Sequence, residues 1–119
     1  MSGLQTEFPF TLPKGFVDDS GTLHRTGTMR LANARDEIEP LRDSRVKDNE
    51  SYATVIVLSR VVTELGTVSR VTTKTIESLF VSDFSYLQDL YRIVNFQDAT
   101  VLDALEPGVP FPQELAGVG

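Results

Sequence analysis

Residues 7–31 read EFPFTLPKGFVDDSGTLHRTGTMRL, and this stretch decides the fold that the sequence predicts. Phe8, Phe10 and Leu12 alternate with proline or polar residues, and this period of two is typical of a strand with one buried face. Because proline cannot donate to a hydrogen-bond ladder, Pro9 places this strand at the edge of a sheet.

The second half of the stretch supplies a turn and a partner strand. Residues 18–21 read DDSG, a turn sequence in which Gly21 can adopt a positive φ angle. Residues 23–31 then form the second arm, and Gly27 inside this arm indicates a β-bulge. The sequence therefore predicts a β-hairpin over residues 7–31.

Helical signals begin directly after the hairpin. Asn33 is a good N-cap for a short helix, which Pro40 should end or bend. Residues 42–50 are almost wholly polar, and we expect a solvated loop there.

Residues 52–65 are apolar around most of a helical circumference, which predicts a central helix capped by Ser51 and stopped by Gly66. The many β-branched residues leave a buried strand as the competing interpretation, although 14 residues is long for a strand.

Two more helices complete the prediction. Thr72 or Thr73 opens a third helix through Phe80, and Ser82 caps a fourth helix through Asn95. We therefore expect an α+β fold, with an N-terminal β-hairpin followed by a bundle of three to four short helices.

The domain is predicted to span residues 1–96. Residues 97–119 form a Pro/Gly-rich tail, interpreted as an arm or a disordered end, in which residues 99–105 could make one or two helical turns.

Composition excludes several functional classes. The chain has 119 residues, a formal net charge of −6 and no cysteine. A negative protein repels phosphate backbones, so we expect no nucleic-acid partner. Without cysteine there are no disulfides or thiolate metal sites.

The longest apolar run, residues 55–58, is far shorter than the about 20 residues that span a bilayer, and residues 1–7 show no secretory signal. We expect a cytoplasmic protein with no membrane span.

Candidate catalytic groups are few. His24 is the one histidine, and no nucleophile accompanies it in a recognisable local motif, so a structural role is the simpler interpretation. Asp36, Glu37 and Glu39 lack the spacing and the glycine of a calcium loop, and such clusters are usually solvated helix surface. No phosphate loop, dinucleotide motif or zinc spacing is present. We therefore predict no enzymatic activity, no cofactor and no metal.

Aromatic side chains are more informative, because aromatics that a small domain leaves uncovered can bind a partner. Most of them should be core, but we consider the whole set as candidate protein-binding residues. They are Phe8, Phe10, Phe16, Phe80, Tyr86, Tyr91, Phe96 and Phe111.

Residues 8–96, about three quarters of the chain, resemble a family of small phage tail assembly proteins, which are encoded by prophages and by phage-tail-like contractile injection systems. The segments that carry the resemblance are FTLPKGFVDDSGTLHRTGTMRLANARDEIEPLRD at 10–43, SYATVIVLSRVVTELGTVSRVTTKTIESLF at 51–80 and SDFSYLQDLYRIVN at 82–95. The order of elements is also similar to that of tail assembly chaperones of contractile phages.

The resemblance implies a chaperone or adaptor that coats the apolar helical tape-measure protein and brings tube subunits to it. The alternative is a permanent baseplate or tube-end adaptor subunit, incorporated in the tail-like particle. Partners would be tape-measure, tube or baseplate proteins, or further copies of the chain. The resemblance assigns none of these contacts to a residue.

Overall fold

The computed structural model describes residues 3–96, which form a three-stranded antiparallel sheet and several short helices that share one apolar core. The elements are β1 (Glu7–Val17), β2 (Leu23–Arg30), α1 (Ala34–Ile38), a 3₁₀ helix (Glu39–Arg42), α2 (Ser44–Asp48), α3 (Tyr52–Val61), β3 (Val62–Leu65), α4 (Thr73–Glu77) and α5 (Val81–Phe96). The strand order is β1-β2-β3. The predicted α+β class with an N-terminal hairpin is therefore confirmed.

The hairpin lies where the sequence predicted it, and β1 buries the predicted face with Phe8, Phe10 and Leu12. Phe8 pairs with Met29, and both side chains are buried. Strand β1 lies at one edge of the sheet, as its prolines require. In the turn, the Asp18 carboxylate accepts hydrogen bonds from the amides of Ser20 and Thr22, and Gly21 has φ +85°.

The hairpin irregularity lies elsewhere than at Gly27. The β1–β2 register shifts between Thr11 and Phe16, whereas Gly27 keeps a partner on each neighbouring strand. A Cβ at Gly27 would lie 2.4 Å from the Glu64 carbonyl oxygen. This glycine is therefore needed because backbone approaches it closely, and the predicted bulge at Gly27 is wrong.

The region between β2 and β3 is more helical than expected. Asn33 caps α1 as predicted, in a capping box with Asp36. Residues 42–50 were expected to be a solvated loop, which is wrong, because they contain the end of the 3₁₀ helix and all of α2. Asp43 caps α2 by accepting from the Arg45 amide, and Val46 is buried.

The central segment is both a helix and a strand. The expectation of one helix over residues 52–65 is wrong in its second part, because α3 ends at Val61 and β3 follows directly and pairs with β2. Ser51 does not cap α3, since its backbone is helical (φ −62°, ψ −21°) and its side chain makes no cap bond. Gly66, with φ +55°, ends the strand.

The last two helices have shifted boundaries. Thr72 caps α4 as predicted, but the helix ends at Glu77 and not at Phe80. Helix α5 begins at Val81, so Ser82 lies in its first turn and is not its cap. The Phe80 carbonyl oxygen accepts from the amides of residues 83 and 84 at that end.

One apolar cluster joins the inner face of the sheet to α3, α4 and α5. Its buried members include Leu12, Met29, Leu58, Leu65, Ile76 and Leu87. Among the residues described, no helix combines the length and the apolarity that a membrane crossing requires. The predicted tail, residues 97–119, lies outside the described residues, as do its suggested helical turns and Phe111.

Candidate protein-binding surface

His24 is buried at the end of the hairpin, and both of its ring nitrogens have partners. Nδ1 accepts from the Thr67 amide at 3.2 Å, and Nε2 lies 2.8 Å from Asp18 Oδ2. Because Nδ1 accepts, the neutral ring carries its proton on Nε2 and donates it to the carboxylate. This hydrogen bond holds the pKa of Asp18 below its usual value. The ring also stacks on Phe16, with centroids 6.2 Å apart. In this arrangement His24 ties the hairpin to the loop after β3.

A carboxylate network joins β2, α1 and α3. The buried Asp36 accepts from the Arg30 guanidinium at 2.7 and 3.0 Å, from Arg60 Nε at 3.0 Å and from the Asn33 amide at 2.9 Å. The bonds from Arg30, more than the others, hold the pKa of Asp36 well below its usual value. Arg60 also contacts Glu39 at 2.8 Å. Two of the three acids that the sequence suggested as a cation site are thus engaged by arginines.

A second buried carboxylate holds the irregular part of β1. Asp83, in the first turn of α5, accepts from the amides of Lys14 at 2.8 Å and Gly15 at 2.9 Å. Gly15 has φ +111°, and the register shift leaves these amides without ladder partners. Arg25 donates to the Leu12 carbonyl on the same stretch. Two charged side chains therefore replace the missing ladder bonds. Within residues 3–96, no group of three or more His, Asp or Glu side chains is placed to hold a metal ion.

The eight aromatic candidates fall into three groups. Phe8, Phe10 and Phe16 are buried, Tyr86 and Tyr91 are half-buried, Phe80 and Phe96 are 52% and 66% exposed, and Phe111 lies outside the described residues. The buried three pack in the core and present little surface to a partner. The exposed pair flank the two ends of α5.

A groove of about 360 Å³ lies between α3 and α5 and is called the α3–α5 groove below. It is lined by Ala53, Thr54, Val57 and Leu58 of α3, by Gln88, Tyr91 and Arg92 of α5, and by Glu37 of α1. Apolar atoms come mainly from α3 and the Tyr91 ring, whereas Glu37 and Arg92 place one charge of each sign in the lining. The groove therefore combines an apolar side with a few polar groups, and its volume lies at the lower end of the range of small-ligand pockets.

Tyr91 connects this groove to the exposed end of α5. Its hydroxyl donates to Glu37 Oε2 at 2.5 Å, and its ring meets the Phe96 ring edge-to-face with centroids 6.3 Å apart. Burial, followed by the neighbouring Glu37 carboxylate, raises the pKa of Tyr91. The tyrosine is therefore held in place, and Phe96 extends the apolar surface beyond the groove.

Tyr91 and Phe96 were among the residues chosen from the sequence, but the rest of the groove was not. Its α3 side comes from Ala53, Thr54 and Val57, half-buried residues of a segment that looked like uniform core. Nothing in the order of residues shows that α5 leaves part of this segment uncovered.

Comparisons with protein-family models, with curated proteins and with solved structures found no match to this chain. The resemblance to phage tail assembly proteins stays a prediction.

Proposed function

We propose that the chain is an assembly factor of a phage tail or a phage-tail-like contractile injection system, which binds an apolar helical segment of the tape-measure protein. The α3–α5 groove carries the binding part of this proposal. The identity of the machine rests on the sequence resemblance alone.

The position of the groove between two helices suits a helix as its occupant. An amphipathic helix binds by laying its apolar stripe into a groove, with anchors at spacings of three and four residues. A third helix against α3 and α5 would bury the apolar lining, while Glu37 and Arg92 contact its polar flanks. Such a contact would cover the stripe of a tape-measure helix, which would otherwise aggregate.

Tyr91 and Phe96 are the expected anchors at one end of the groove. Aromatic residues that are only partly covered are enriched among the residues that dominate binding energy. Tyr91 is already held by its bond to Glu37, so little side-chain freedom is lost when a partner contacts it.

The exposed residues at the other end of α5 support the alternative of a permanent adaptor subunit. Phe80 and Val81 are 52% and 81% exposed. The 16 residues of α5 place them about 24 Å from Phe96. Two separated apolar sites would allow one copy to contact two neighbours in a finished particle.

The binding proposal is tested by filling the groove. Ala53 is a small, half-buried residue in the groove lining, so Ala53→Arg should block a partner helix. Ser85→Arg adds the same side chain to an exposed position of α5 that does not line the groove. Calorimetric titration with overlapping tape-measure fragments should show at least tenfold weaker binding for Ala53→Arg, about 1.4 kcal/mol, and unchanged binding for Ser85→Arg.

Thermal unfolding of both variants controls for damage to the fold. Equal loss of binding in the two variants, or binding that Ala53→Arg leaves unchanged, would exclude the groove. If no tape-measure fragment binds the unaltered chain, the chaperone proposal is wrong. Mass spectrometry of purified particles then separates the two roles, because a chaperone is absent from them and a permanent subunit is present at fixed stoichiometry.

A further inference from the structure

We propose that His24 is a pH-dependent latch, which holds the loop at residues 66–72 against the hairpin while the ring is neutral and releases it when the ring takes up a second proton. This loop joins β3 to α4. The inference concerns a contact inside the domain and does not rest on the proposed function.

The neutral ring holds the loop through Nδ1. A neutral imidazole has one nitrogen that donates and one that accepts. At His24 the acceptor is Nδ1, which binds the Thr67 amide at 3.2 Å, so the proton is on Nε2, 2.8 Å from Asp18 Oδ2. The residue is 4% exposed, and Gly66 lies so close that a Cβ there would be 2.3 Å from Nδ1. Water is therefore kept from Nδ1 while the loop stays in this position.

Protonation of the ring breaks the contact with the loop. The second proton comes from solvent and binds the lone pair of Nδ1. Both ring nitrogens are then donors, so Nδ1–H and the Thr67 N–H point at each other and neither has an acceptor. A buried donor without a partner destabilises this arrangement. The bond to Asp18 responds in the opposite way, because a cationic donor makes a stronger hydrogen bond to a carboxylate.

The charges around the ring make the loop, and not the hairpin, the part that moves. Among residues 3–96, Asp18 is the only carboxylate that pairs with His24. Its pKa is lowered by this bond, so it stays ionised between about pH 8 and 5, where histidines ordinarily gain their charge. Arg25 donates to backbone carbonyls of β1, and Glu64 of β3 accepts from a hydroxyl of β2. Further charged side chains from the segments around the ring are exposed to solvent, namely Lys14, Asp19 and Arg70.

Release of the loop uncovers apolar side chains. Val68 and Val71 are half-buried and pack against the core cluster. The Gly66 amide donates to the Thr26 carbonyl oxygen at 2.7 Å, a bond that does not involve the ring. We therefore expect the loop to open from Thr67 onward while β3 stays paired with β2. A fall in pH is thereby converted into local exposure of apolar surface without unfolding of the domain.

The single histidine of the chain makes the test direct, because the NMR signals of its ring are unambiguous. Long-range ¹H–¹⁵N spectra of the full-length protein should show the Nε2–H tautomer at pH 8. As the ring is protonated between pH 8 and 5, the hydrogen-exchange protection factor of the Thr67 amide should fall at least tenfold, whereas those of Met29 and Leu58 should stay within a factor of two. The matched variant is His24→Asn, whose side-chain oxygen takes the place of Nδ1 as an acceptor but does not titrate, so Thr67 should keep its protection.

The latch is excluded by an Nδ1–H tautomer at pH 8, and equally by a ring that stays neutral down to pH 5. It is also excluded if the ring is protonated while Thr67 keeps its protection, or if core amides lose as much protection as Thr67 does. An equal loss at Thr67 in His24→Asn would assign the effect to another group. If that variant does not fold, the tautomer and the Thr67 data of the unaltered protein decide the question. None of these measurements requires a tape-measure protein, so the latch and the proposed function can fail independently.

Discussion

Replacement of Asp83 by alanine should destabilise the protein strongly, although this carboxylate does not line the proposed binding groove. Asp83 is fully buried and accepts from the amides of Lys14 and Gly15 at 2.8 and 2.9 Å. A buried donor without a partner costs about 1–3 kcal/mol. The Gly15 bond is buried and belongs near the upper end of that range, whereas the Lys14 bond is partly accessible to water.

Together these two amides give an expected loss of about 3–4 kcal/mol for Asp83→Ala. That is a large share of the about 5–15 kcal/mol by which domains are stable. Asp83→Asn retains one acceptor oxygen but turns an NH₂ group toward the other amide, and it should cost about 2 kcal/mol. Asp89→Ala is the control, since it removes a carboxylate of the same helix whose partner, Arg92, is mostly exposed, and it should cost less than about 1 kcal/mol.

Urea unfolding followed by circular dichroism measures these differences, provided that the slope with denaturant stays the same in all variants. Hydrogen exchange adds a local measurement. In Asp83→Ala the Gly15 amide should lose its protection from exchange, whereas the protection of core amides in β2 should fall only as far as the lower unfolding free energy of the whole domain requires. A loss below 1 kcal/mol for Asp83→Ala, with the Gly15 amide still protected, would show that this carboxylate does not hold the irregular part of β1.

Three further predictions address pH, backbone conformation and capping. The pKa of Asp36 is lower in the folded than in the unfolded protein, so this carboxylate stabilises the fold above the unfolded pKa of about 3.9, and the stabilisation is lost as pH falls toward the folded pKa. Asp36→Asn should therefore lower the unfolding free energy by about 2 kcal/mol at pH 7. Below about pH 4 the unfolding free energy of this variant should decline less steeply with pH than that of the unaltered protein. In urea unfolding, Gly66→Ala should lower the unfolding free energy more than Gly21→Ala does. Both glycines have positive φ, but only at Gly66 would an added Cβ clash with the His24 ring, at 2.3 Å from Nδ1. Equal losses of about 1–2 kcal/mol in the two variants would mean that backbone strain is the whole effect. By the same assay, Asn33→Ala should lower the unfolding free energy by about 1 kcal/mol and Ser51→Ala by less than about 0.5 kcal/mol, because only the Asn33 side chain caps a helix. A larger loss for Ser51→Ala than for Asn33→Ala would contradict this cap assignment.

The hairpin could be predicted because its signals are local. Alternating burial along residues 8–12, a turn residue at Gly21 and prolines on an edge strand depend only on near neighbours in the chain. The N-caps at Asn33 and Thr72 were found for the same reason, since each bonds a residue three positions away.

The central segment shows where local reasoning ends. Residues 52–65 are apolar at both the helical and the strand period, so periodicity could not place the boundary at Val61. What places it is β2, whose free edge pairs with Val62 and Leu65. That partner strand is more than 30 residues earlier in the chain. The pattern of residues within a short window therefore cannot predict this pairing.

The binding surface could be predicted only in part. Tyr91 and Phe96 were recognisable as aromatics near the end of a helix, but exposure at Phe96 and partial cover at Tyr91 are results of packing. The α3 side of the groove depends on the distance between two helices that are separated by β3 and α4. Asp83 had a visible role as an acid in a first turn, yet its two amide donors lie almost 70 residues away.

Rigidity is the property that connects these features to binding. Leu87, Leu90 and Val94 fix the inner face of α5 in the core, and Asp83 fixes its first turn to β1. Single exposed apolar side chains are common and need no function. A groove bordered by anchored residues is different, because the surface is ordered before the partner arrives and less conformational entropy is lost on binding. If α5 were loosened by Asp83→Ala without global unfolding, partner binding through the intact groove residues should therefore weaken as well.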